Sequence, residues 1–308
     1  MMKYRRLGRT GLKVSVVGVG TWQFGGEWGR AFTQEEVDRA LGCAGDLGIN
    51  LIDTAECYGD HLSETLIGRA IRGRRNGWVI ATKFGHKFHG NFERTLHYTA
   101  AEVEAQLDAS LKALGTDYID VYQMHSAKDP AFDQPDLWEM LARQVEAGKI
   151  RHVGLSISPN DNIYQTGRAS AAGAETIQVV YNRLDRAPEA EVLPSCQAQD
   201  LGVLARVPLA SGLLTGKYRP GDVFDNPDDI RSQRSPAEIQ EALRQAGEIA
   251  RSEVPPGVPM AAWALAWCLR HPAVACVIPG CKSVEQVTAN AAGADLAGDD
   301  HPLAWQVQ

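Results

Sequence analysis

Four residues, Asp53, Tyr58, Lys83 and His125, have side chains suited to acid–base chemistry and a spacing that could bring them together. Asp53, Lys83 and His125 each end an apolar segment of strand length, and Tyr58 follows Asp53 by five residues. The carboxyl ends of neighbouring strands in a barrel meet at one mouth, so these side chains would converge there. An ammonium group beside a phenol lowers the phenol's pKa from its usual value of about 10. The set suits protonation of a carbonyl oxygen, with Tyr58 as the proton donor.

The other three residues have supporting roles in that chemistry. Asp53 would keep Lys83 charged in a partly buried mouth, and His125 would hydrogen-bond a bound oxygen and fix its direction. Taken singly, Asp53 and Lys83 could be a structural ion pair, Tyr58 a loop aromatic and His125 a core histidine. We favour the functional interpretation because four such residues on consecutive units are much rarer by chance than any one of them.

A second group, around Ser283, has the features of a phosphate site. Ser283 begins a predicted helix and follows Lys282. Backbone N–H groups, a hydroxyl and an ammonium therefore meet at the positive end of a helix dipole. The structural alternative is an ordinary helix cap beside an exposed lysine.

Two other patterns resemble known sites but lack parts of them. Gly18-Val-Gly20-Thr-Trp-Gln23 follows a strand, yet it lacks the third glycine and does not begin a helix, which excludes the Rossmann dinucleotide fingerprint. His86-x-x-His89 has a metal-ligand spacing, but it lies in a polar segment with no acidic or cysteine third ligand nearby. We therefore predict no metal site.

Eight apolar segments of strand length alternate with nine helical segments along the chain, and capping boxes mark several of the helix starts. The strand segments are continuous apolar runs, typical of a parallel sheet covered by helices on both faces. They span residues 16–20, 50–53, 79–83, 119–125, 152–155, 177–180, 203–206 and 274–278. The helical segments span 33–47, 63–72, 99–114, 135–147, 160–171, 189–200, 236–252, 259–270 and 283–295. Eight such units predict an α/β fold of the (β/α)8 TIM-barrel class, with one extra helix inserted after the seventh strand.

The remaining segments complete this picture. Residues 4–15 predict a β-hairpin that closes the bottom of the barrel. Residues 84–97 and 219–234 are long and polar; the first predicts a surface loop and the second a mobile flap over a site. Since no linker interrupts the alternation, we expect residues 1–308 to form a single barrel domain.

Composition limits the partners of the protein. The chain has 31 basic and 38 acidic residues, a net charge of −7, and no long basic run, which argues against a nucleic-acid-binding groove. Six scattered cysteines without CxxC spacing predict reduced thiols, and no segment predicts a signal peptide or a membrane span. We expect a cytoplasmic protein that acts on small molecules, as a monomer or a weak homo-oligomer.

Several motifs, taken in order, resemble the aldo-keto reductase superfamily, in particular bacterial members related to the channel β-subunit-like branch. The likeness covers essentially the whole chain. It rests on Asp53-Thr-Ala-x-x-Tyr58-Gly59, Ala81-Thr-Lys83-Phe, Asp120-Val-Tyr-Gln-Met-His125, Gly154-Leu-Ser156, Gln178-Val-Val-Tyr-Asn182, Pro208-Leu-Ala-Ser-Gly-Leu-Leu-Thr-Gly-Lys217-Tyr and Ile278-Pro-Gly-Cys-Lys282-Ser283. The resemblance implies a catalytic tetrad of Asp53, Tyr58, Lys83 and His125, and a nicotinamide cofactor as hydride donor.

The resemblance also implies where that cofactor binds. Ser156 and Gln178 would hold the nicotinamide carboxamide, and Lys282 with Ser283 the adenosine 2′-phosphate. The full implied set is Gly20, Thr21, Trp22, Ser156, Gln178, Arg206, Leu209, Ser211, Leu213, Lys217, Gly280, Lys282, Ser283, Gln286 and Asn290. Three positions depart from the family pattern, since Gln286 replaces a common arginine, Ile157 a common asparagine and Arg206 a common tyrosine. We favour NADP(H) and leave NAD(H) open.

Aromatic residues near the predicted mouth indicate where the substrate would bind. Trp22, Phe24, Trp28 and Phe88 would form its walls, which suit an aldehyde, a ketone or a sugar. The predicted activity is NAD(P)H-dependent transfer of a hydride to a carbonyl carbon. Two alternatives are a nicotinamide-binding regulatory subunit with incidental turnover and a barrel lyase that uses Lys83 as a Schiff-base amine.

Overall fold

The computed structural model describes residues 1–305 of the 308-residue chain, so the last three residues of the predicted domain lie outside the described part. In chain order its strands are β1 (Tyr4–Arg6), β2 (Lys13–Ser15), β3 (Val19–Gly20), β4 (Leu51–Asp53), β5 (Val79–Phe84), β6 (His86–Gly90), β7 (Glu93–Leu96), β8 (Ile119–His125), β9 (Ile150–Ser156), β10 (Thr176–Val180), β11 (Gly202–Arg206) and β12 (Val274–Ile278). The α-helices are α1 (Gln34–Asp46), α2 (Leu62–Ala70), α3 (Ala100–Leu114), α4 (Asp129–Phe132), α5 (Pro135–Glu146), α6 (Ile163–Ala172), α7 (Val192–Ala198), α8 (Pro236–Ser252), α9 (Met260–Leu269) and α10 (Val284–Ala291).

Eight parallel strands form the barrel, in the order β3-β4-β5-β8-β9-β10-β11-β12. Bridges from Val17 to Val277 and from Gly20 to Gly280 join the first strand to the last and close the sheet on itself. The α-helices follow the strands and cover the outside. The predicted (β/α)8 TIM barrel is confirmed. The extra helix predicted after the seventh barrel strand is present, because both α8 and α9 separate β11 from β12, and the short α4 before α5 is a second additional helix.

Local sequence signals explain where the helices begin. Thr33, Thr99 and Ser235 each accept a hydrogen bond from the backbone N–H three residues later, and the glutamate at that position reaches back to the cap. Each pairing satisfies two backbone donors that a helix start would otherwise leave without partners. The helices are thereby fixed at the ends that follow the barrel mouth.

The β1–β2 hairpin lies beneath the barrel, as the sequence predicts. Leu7 and Val14 are fully buried against barrel residues that include Leu51 and Val121. Gly8 packs so closely on the start of β11 that an added Cβ would lie 2.2 Å from the backbone nitrogen of Gly202. The hairpin therefore seals the floor, and ligands reach the barrel only from the opposite end.

Arg5 anchors this hairpin. Its side chain is buried, and it donates hydrogen bonds to the carbonyl oxygens of Val274 at 2.6 Å and Leu269 at 2.9 Å. We expect Arg5→Ala to lower the free energy of unfolding by about 3 kcal/mol, because it leaves two buried carbonyls without a charged donor. Urea denaturation measures the change. The exposed Arg9→Ala on the same hairpin serves as control, and an equal loss in both variants would contradict this role for Arg5.

The segment between β5 and α3 differs from the sequence prediction. Residues 84–97 are not a plain surface loop, since β6 and β7 pair antiparallel within them. Phe88 lies directly opposite Arg94 in this hairpin, so the two side chains share a face. That face turns toward the barrel mouth, where Phe88 packs against Cys57 and Tyr58.

Residues 219–234 lie against the loop that follows β3. The backbones of Trp28 and Asp229 form an antiparallel β-bridge, and the backbone N–H of Ile230 donates to the carbonyl oxygen of Glu27 at 3.2 Å. These contacts place the predicted flap beside the mouth. Among the helices of residues 1–305, none has the length and apolar character needed to span a membrane.

Candidate active site

Strand register brings the four acid–base residues together. Asp53 ends β4, Lys83 lies near the end of the adjacent β5, and His125 ends β8, which pairs with β5. Tyr58 comes from the turn between β4 and α2. All four therefore stand at the carboxyl ends of neighbouring strands, as the sequence predicts.

The ammonium of Lys83 is the centre of this group. Its Nζ atom donates to both carboxylate oxygens of Asp53 at 3.0 and 2.9 Å, to the Thr54 carbonyl oxygen at 2.7 Å and to the Tyr58 hydroxyl oxygen at 3.3 Å. Lys83 is fully buried, and Gln178 Nε2 donates to Asp53 at 2.6 Å from the other side. The buried charges are thus paired and hydrogen-bonded, which fixes the position of the phenol.

The pKa of Tyr58 does not follow the sequence expectation. Burial raises the pKa of Tyr58 to about 12, and the nearby Lys83 ammonium opposes this effect without overcoming it. The predicted lowering is wrong because sequence shows the neighbouring charge but not the desolvation. Burial lowers the pKa of Lys83, but the charges of Asp53 and Tyr58 outweigh it and raise the value to about 12. Near neutral pH, Tyr58 is a phenol with a proton to give, and Lys83 is an ammonium.

His125 is held as a neutral imidazole. Burial, together with the charges of His86 and Lys83, keeps its pKa well below the usual range. Its ring stacks on His86 with centroids 4.3 Å apart, and its carbonyl oxygen accepts a hydrogen bond from the Tyr98 hydroxyl. A neutral imidazole held in this way can donate a hydrogen bond to a ligand oxygen.

One cluster in residues 1–305 has the composition of a metal site, namely Cys57, His86 and His125. The two imidazole rings are nearly parallel, with an interplanar angle of 14°, so their in-plane lone pairs do not converge on one point. His89 is exposed, and its Nε2 pairs with the Thr95 hydroxyl. The predicted His86–His89 spacing therefore does not form a chelate, and the absence of a metal stays a prediction.

A cavity of about 690 Å³ opens above these residues and extends to the start of α10. Tyr58, Asp53 and His125 line one end, while Lys83 lies beneath it. Of the predicted cofactor residues, those that line the cavity are Gly20, Thr21, Trp22, Gln178, Arg206, Leu209, Ser211, Lys217, Gly280, Lys282, Gln286 and Asn290.

The other predicted contacts lie off the cavity wall. Ser156 is buried and its hydroxyl donates to Gln178 at 3.4 Å, Leu213 is buried in the core, and Ser283 caps α10. Trp22 and Trp28 line the cavity as expected for substrate walls. Phe24 does not line the cavity, because it is buried in the core against Phe32. Phe88 lies behind the wall against Tyr58.

The residues along the cavity fit a dinucleotide. The volume lies within the range of about 300–1,000 Å³ that small-molecule sites occupy. Near the acid–base group, the Nε atom of Arg206 is buried with no hydrogen-bond partner in residues 1–305. At the other end, burial lowers the pKa of Lys282; the charge of Asp229 opposes this effect, and the charges of Arg231, Arg30 and Lys217 add to it. Such a concentration of positive charge at a helix start suits phosphate groups.

Comparison with known proteins decides the family. Residues 16–301 match the family model described as "Aldo/keto reductase family". The chain belongs to this family. As an aldo/keto reductase, it is an NAD(P)-dependent oxidoreductase, and its cofactor is a nicotinamide nucleotide.

Relatives of this aldo/keto reductase span nearly the whole chain. Aldo-keto reductase YhdN of Bacillus subtilis is 33% identical over 298 residues, with 94% of this chain and 87% of the relative covered. A putative voltage-gated potassium channel subunit beta of Schizosaccharomyces pombe is 32% identical, with 93% and 86% covered. The crystal structure of an aldo/keto reductase from Klebsiella pneumoniae in complex with NADP and acetate has a TM-score of 0.73 and 29% identity, with 97% and 92% covered.

Several residues of the site were missed by the sequence analysis of this aldo/keto reductase, among them Arg94, Glu27 and Arg30. Arg94 lines the cavity, and Glu27 is fully buried beside it. Arg30 donates to the carbonyl oxygen of Lys282 at 2.8 Å. The signal for Arg94 was present, because His86-Lys-Phe88-His-Gly90 and Glu93-Arg94-Thr-Leu96 flank a short turn as hairpin strands do. No sequence pattern marks Glu27 or Arg30, which act through contacts between loops.

Proposed function

We propose that this aldo/keto reductase reduces the carbonyl group of an aldehyde, a ketone or a sugar, with Tyr58 as the proton donor. The observation that carries the proposal is the 3.3 Å hydrogen bond from Lys83 Nζ to the Tyr58 hydroxyl at the end of the cavity. The bound nicotinamide supplies a hydride to the carbonyl carbon. Protonation of the carbonyl oxygen must accompany that step, and the buried phenol holds the proton.

The four polar residues have separate roles in this reaction. Tyr58 donates its proton to the carbonyl oxygen, and Lys83 stabilises the phenolate that is left. Asp53 keeps Lys83 in place through both carboxylate oxygens. His125 donates a hydrogen bond that orients the carbonyl oxygen toward Tyr58. Trp22, whose ring lies 6.0 Å from that of Tyr58 with an interplanar angle of 21°, covers one side of the phenol.

We infer a preference for NADP(H) over NAD(H) from the charges at the start of α10. Lys282 lines the cavity there, Arg30 lies beside it, and the backbone N–H groups of the helix start add positive potential. Arg30, whose Nη1 atom is paired with Glu36 at 2.7 Å, lies near the place where Gln286 replaces the family's arginine. The NADP named in the Klebsiella pneumoniae structure supports this preference.

Lys282→Met tests the cofactor preference. We expect the KM for NADPH to rise by about tenfold or more and the KM for NADH to change less than about twofold, because only NADPH carries the 2′-phosphate. Initial rates with each cofactor measure the effect, so NADH is the internal control. Parallel increases for both cofactors would contradict a 2′-phosphate contact at Lys282.

The reductase activity itself is tested with the wild-type enzyme. NADPH or NADH is mixed with a panel of aldehydes, ketones and sugars, and the loss of absorbance at 340 nm is followed. We expect turnover with at least one class of carbonyl compound. A panel without turnover, despite measurable cofactor binding, would contradict the proposal.

The regulatory alternative is favoured by one observation, the name of the Schizosaccharomyces pombe relative as a potassium channel subunit. It predicts tight NADPH binding by fluorescence titration together with negligible reduction across the panel.

The lyase alternative fits the geometry less well, because Lys83 Nζ is engaged by Asp53, Thr54 and Tyr58 and its pKa is raised to about 12. An ammonium in that state is a poor Schiff-base amine. A monomer or weak homo-oligomer in the cytoplasm stays our prediction.

A further inference from the structure

The inner face of the β6–β7 hairpin carries a guanidinium to the substrate end of the cavity. His86, Phe88 and Arg94 share this face by strand alternation and cross-strand pairing. Phe88 packs on Cys57 and Tyr58, while His86 and Arg94 line the cavity. Arg94 therefore lies on the wall that a substrate meets beside Tyr58 and His125.

Arg94 is held in place from behind by Glu27. Its Nη2 atom donates to Glu27 Oε2, which also accepts from Trp22 Nε1, and Glu27 Oε1 accepts from the Phe92 backbone N–H at 2.7 Å. Glu27 is fully buried, so these donors satisfy it away from solvent. Within residues 1–305, Arg94 donates to no other oxygen atom. Its guanidinium also lies within hydrogen-bonding reach of the Cys57 thiol, a weak partner, so most of its planar set of N–H donors is not taken up by oxygen acceptors where it lines the cavity.

The charges at this end of the cavity leave Arg94 suited to an anion. Lys83 is neutralised by Asp53, and Arg206 lies where the proposed function places the cofactor. Burial raises the pKa of the nearby Glu56 to about 8, so this carboxyl group is mostly uncharged near neutral pH. Arg94 is itself paired with Glu27, so it offers an anionic ligand the remaining N–H donors of its guanidinium rather than an uncompensated positive charge.

We propose that Arg94 selects carbonyl substrates that carry a carboxylate or another anionic group, and that Glu27 orients it for this contact. The inference rests on the proposed reductase function, whose substrate class it specifies. A guanidinium recognises a carboxylate or a phosphate through two parallel N–H donors, and a fixed guanidinium loses little entropy when it does so. Arg94 is a specificity residue in this account, because proton transfer belongs to Tyr58.

Matched substrate pairs test the proposal. The 2-, 3- and 4-carboxybenzaldehydes are compared with their neutral methyl esters, and glyceraldehyde 3-phosphate with glyceraldehyde, using the wild-type enzyme with NADPH. The variants are Arg94→Met, Arg94→Lys and, as control, Lys87→Met, which removes one positive charge from the outer face of the same hairpin. Circular dichroism and NADPH titration check that each variant folds and binds cofactor.

We expect the wild type to favour at least one acidic compound over its neutral partner by about tenfold or more in kcat/KM, and Arg94→Met to remove that preference. Arg94→Lys should keep part of it, and Lys87→Met all of it. The pair that shows the effect distinguishes a carboxylate from a phosphate ligand. Equal ratios in wild type and Arg94→Met, or equal losses in Arg94→Met and Lys87→Met, would overturn the proposal.

A binding measurement separates this proposal from the reductase function. Benzoate and benzamide are titrated into the NADP⁺-bound enzyme while tryptophan fluorescence, to which the cavity residues Trp22 and Trp28 contribute, is followed. Benzoate binding that is lost in Arg94→Met supports the anion site even if no carbonyl compound is reduced. If the enzyme reduces neutral aldehydes but binds benzoate no better than benzamide, the anion site is wrong and the reductase function stands.

Discussion

Replacing Tyr58 with Phe is expected to lower kcat for carbonyl reduction by about 10²–10⁴-fold, the contribution typical of a positioned general acid. The phenol is buried 3.3 Å from Lys83 Nζ, and the substitution removes the hydroxyl while keeping the ring that packs beside Trp22. The NADPH dissociation constant should change little. Steady-state rates at 340 nm and a fluorescence titration of NADPH measure the two quantities.

Tyr218→Phe is the matched control for this result. Tyr218 also lines the cavity, but at the cofactor end, where its ring packs against Phe224. We expect its kcat to stay within about twofold of wild type, because its hydroxyl is not in contact with the acid–base group. Equal activity in Tyr58→Phe and wild type would show that the proton comes from another source.

The pH dependence of carbonyl reduction follows from the raised pKa of Tyr58. With a pKa of about 12, Tyr58 stays protonated through neutral and mildly alkaline pH, so the wild-type enzyme should lose no proton donor there. A bound cofactor and substrate exclude more water, and this favours the neutral phenol further.

The second large effect concerns stability. Asp53→Ala is expected to lower the free energy of unfolding by about 3–5 kcal/mol, because it leaves the buried Lys83 ammonium without its counter-charge. Gln178 Nε2, which donates to Asp53 at 2.6 Å, loses an acceptor as well. Chemical denaturation of the purified protein measures the loss.

A double variant separates the charge effect from simple loss of packing. Asp53→Ala combined with Lys83→Met removes both charges, and we expect it to recover most of the stability lost in Asp53→Ala while remaining inactive. If the double variant recovers stability but stays inactive, the role of the Asp53–Lys83 ion pair in catalysis is to position Tyr58. A double variant as unstable as Asp53→Ala would mean that the cavity left by the carboxylate, rather than the unpaired charge, dominates the loss.

The sequence predicted the barrel and the acid–base group because both depend on local signals. Apolar runs locate the strands, and ionisable residues at their carboxyl ends must converge once the strands are parallel. The positions of Asp53, Lys83 and His125 follow from that rule alone. The capping boxes at Thr33, Thr99 and Ser235 located three helix starts for the same reason.

Features that depend on burial or on contacts between loops were not predictable. The pKa of Tyr58 is set mainly by desolvation, which no sequence pattern reports. Phe24 lies in a loop but turns into the core, and Phe88 supports Tyr58 from behind. The pairing of Glu27 with Arg94 joins residues 67 positions apart, one in the loop after β3 and one in the β6–β7 hairpin. Such contacts arise only when the loops settle on a finished barrel.

The floor of the barrel and its rim are built from separate parts of the chain. The β1–β2 hairpin seals one end with Leu7, Val14 and the buried Arg5, while the rim consists of residues 22–32, 84–97 and 219–234. Substitutions at exposed rim positions such as Lys87 and His89 therefore affect the scaffold little, whereas Phe24, Glu27 and Phe32 are buried and must keep their packing. The exposed positions of the three rim segments are the natural targets for libraries that seek a new substrate range.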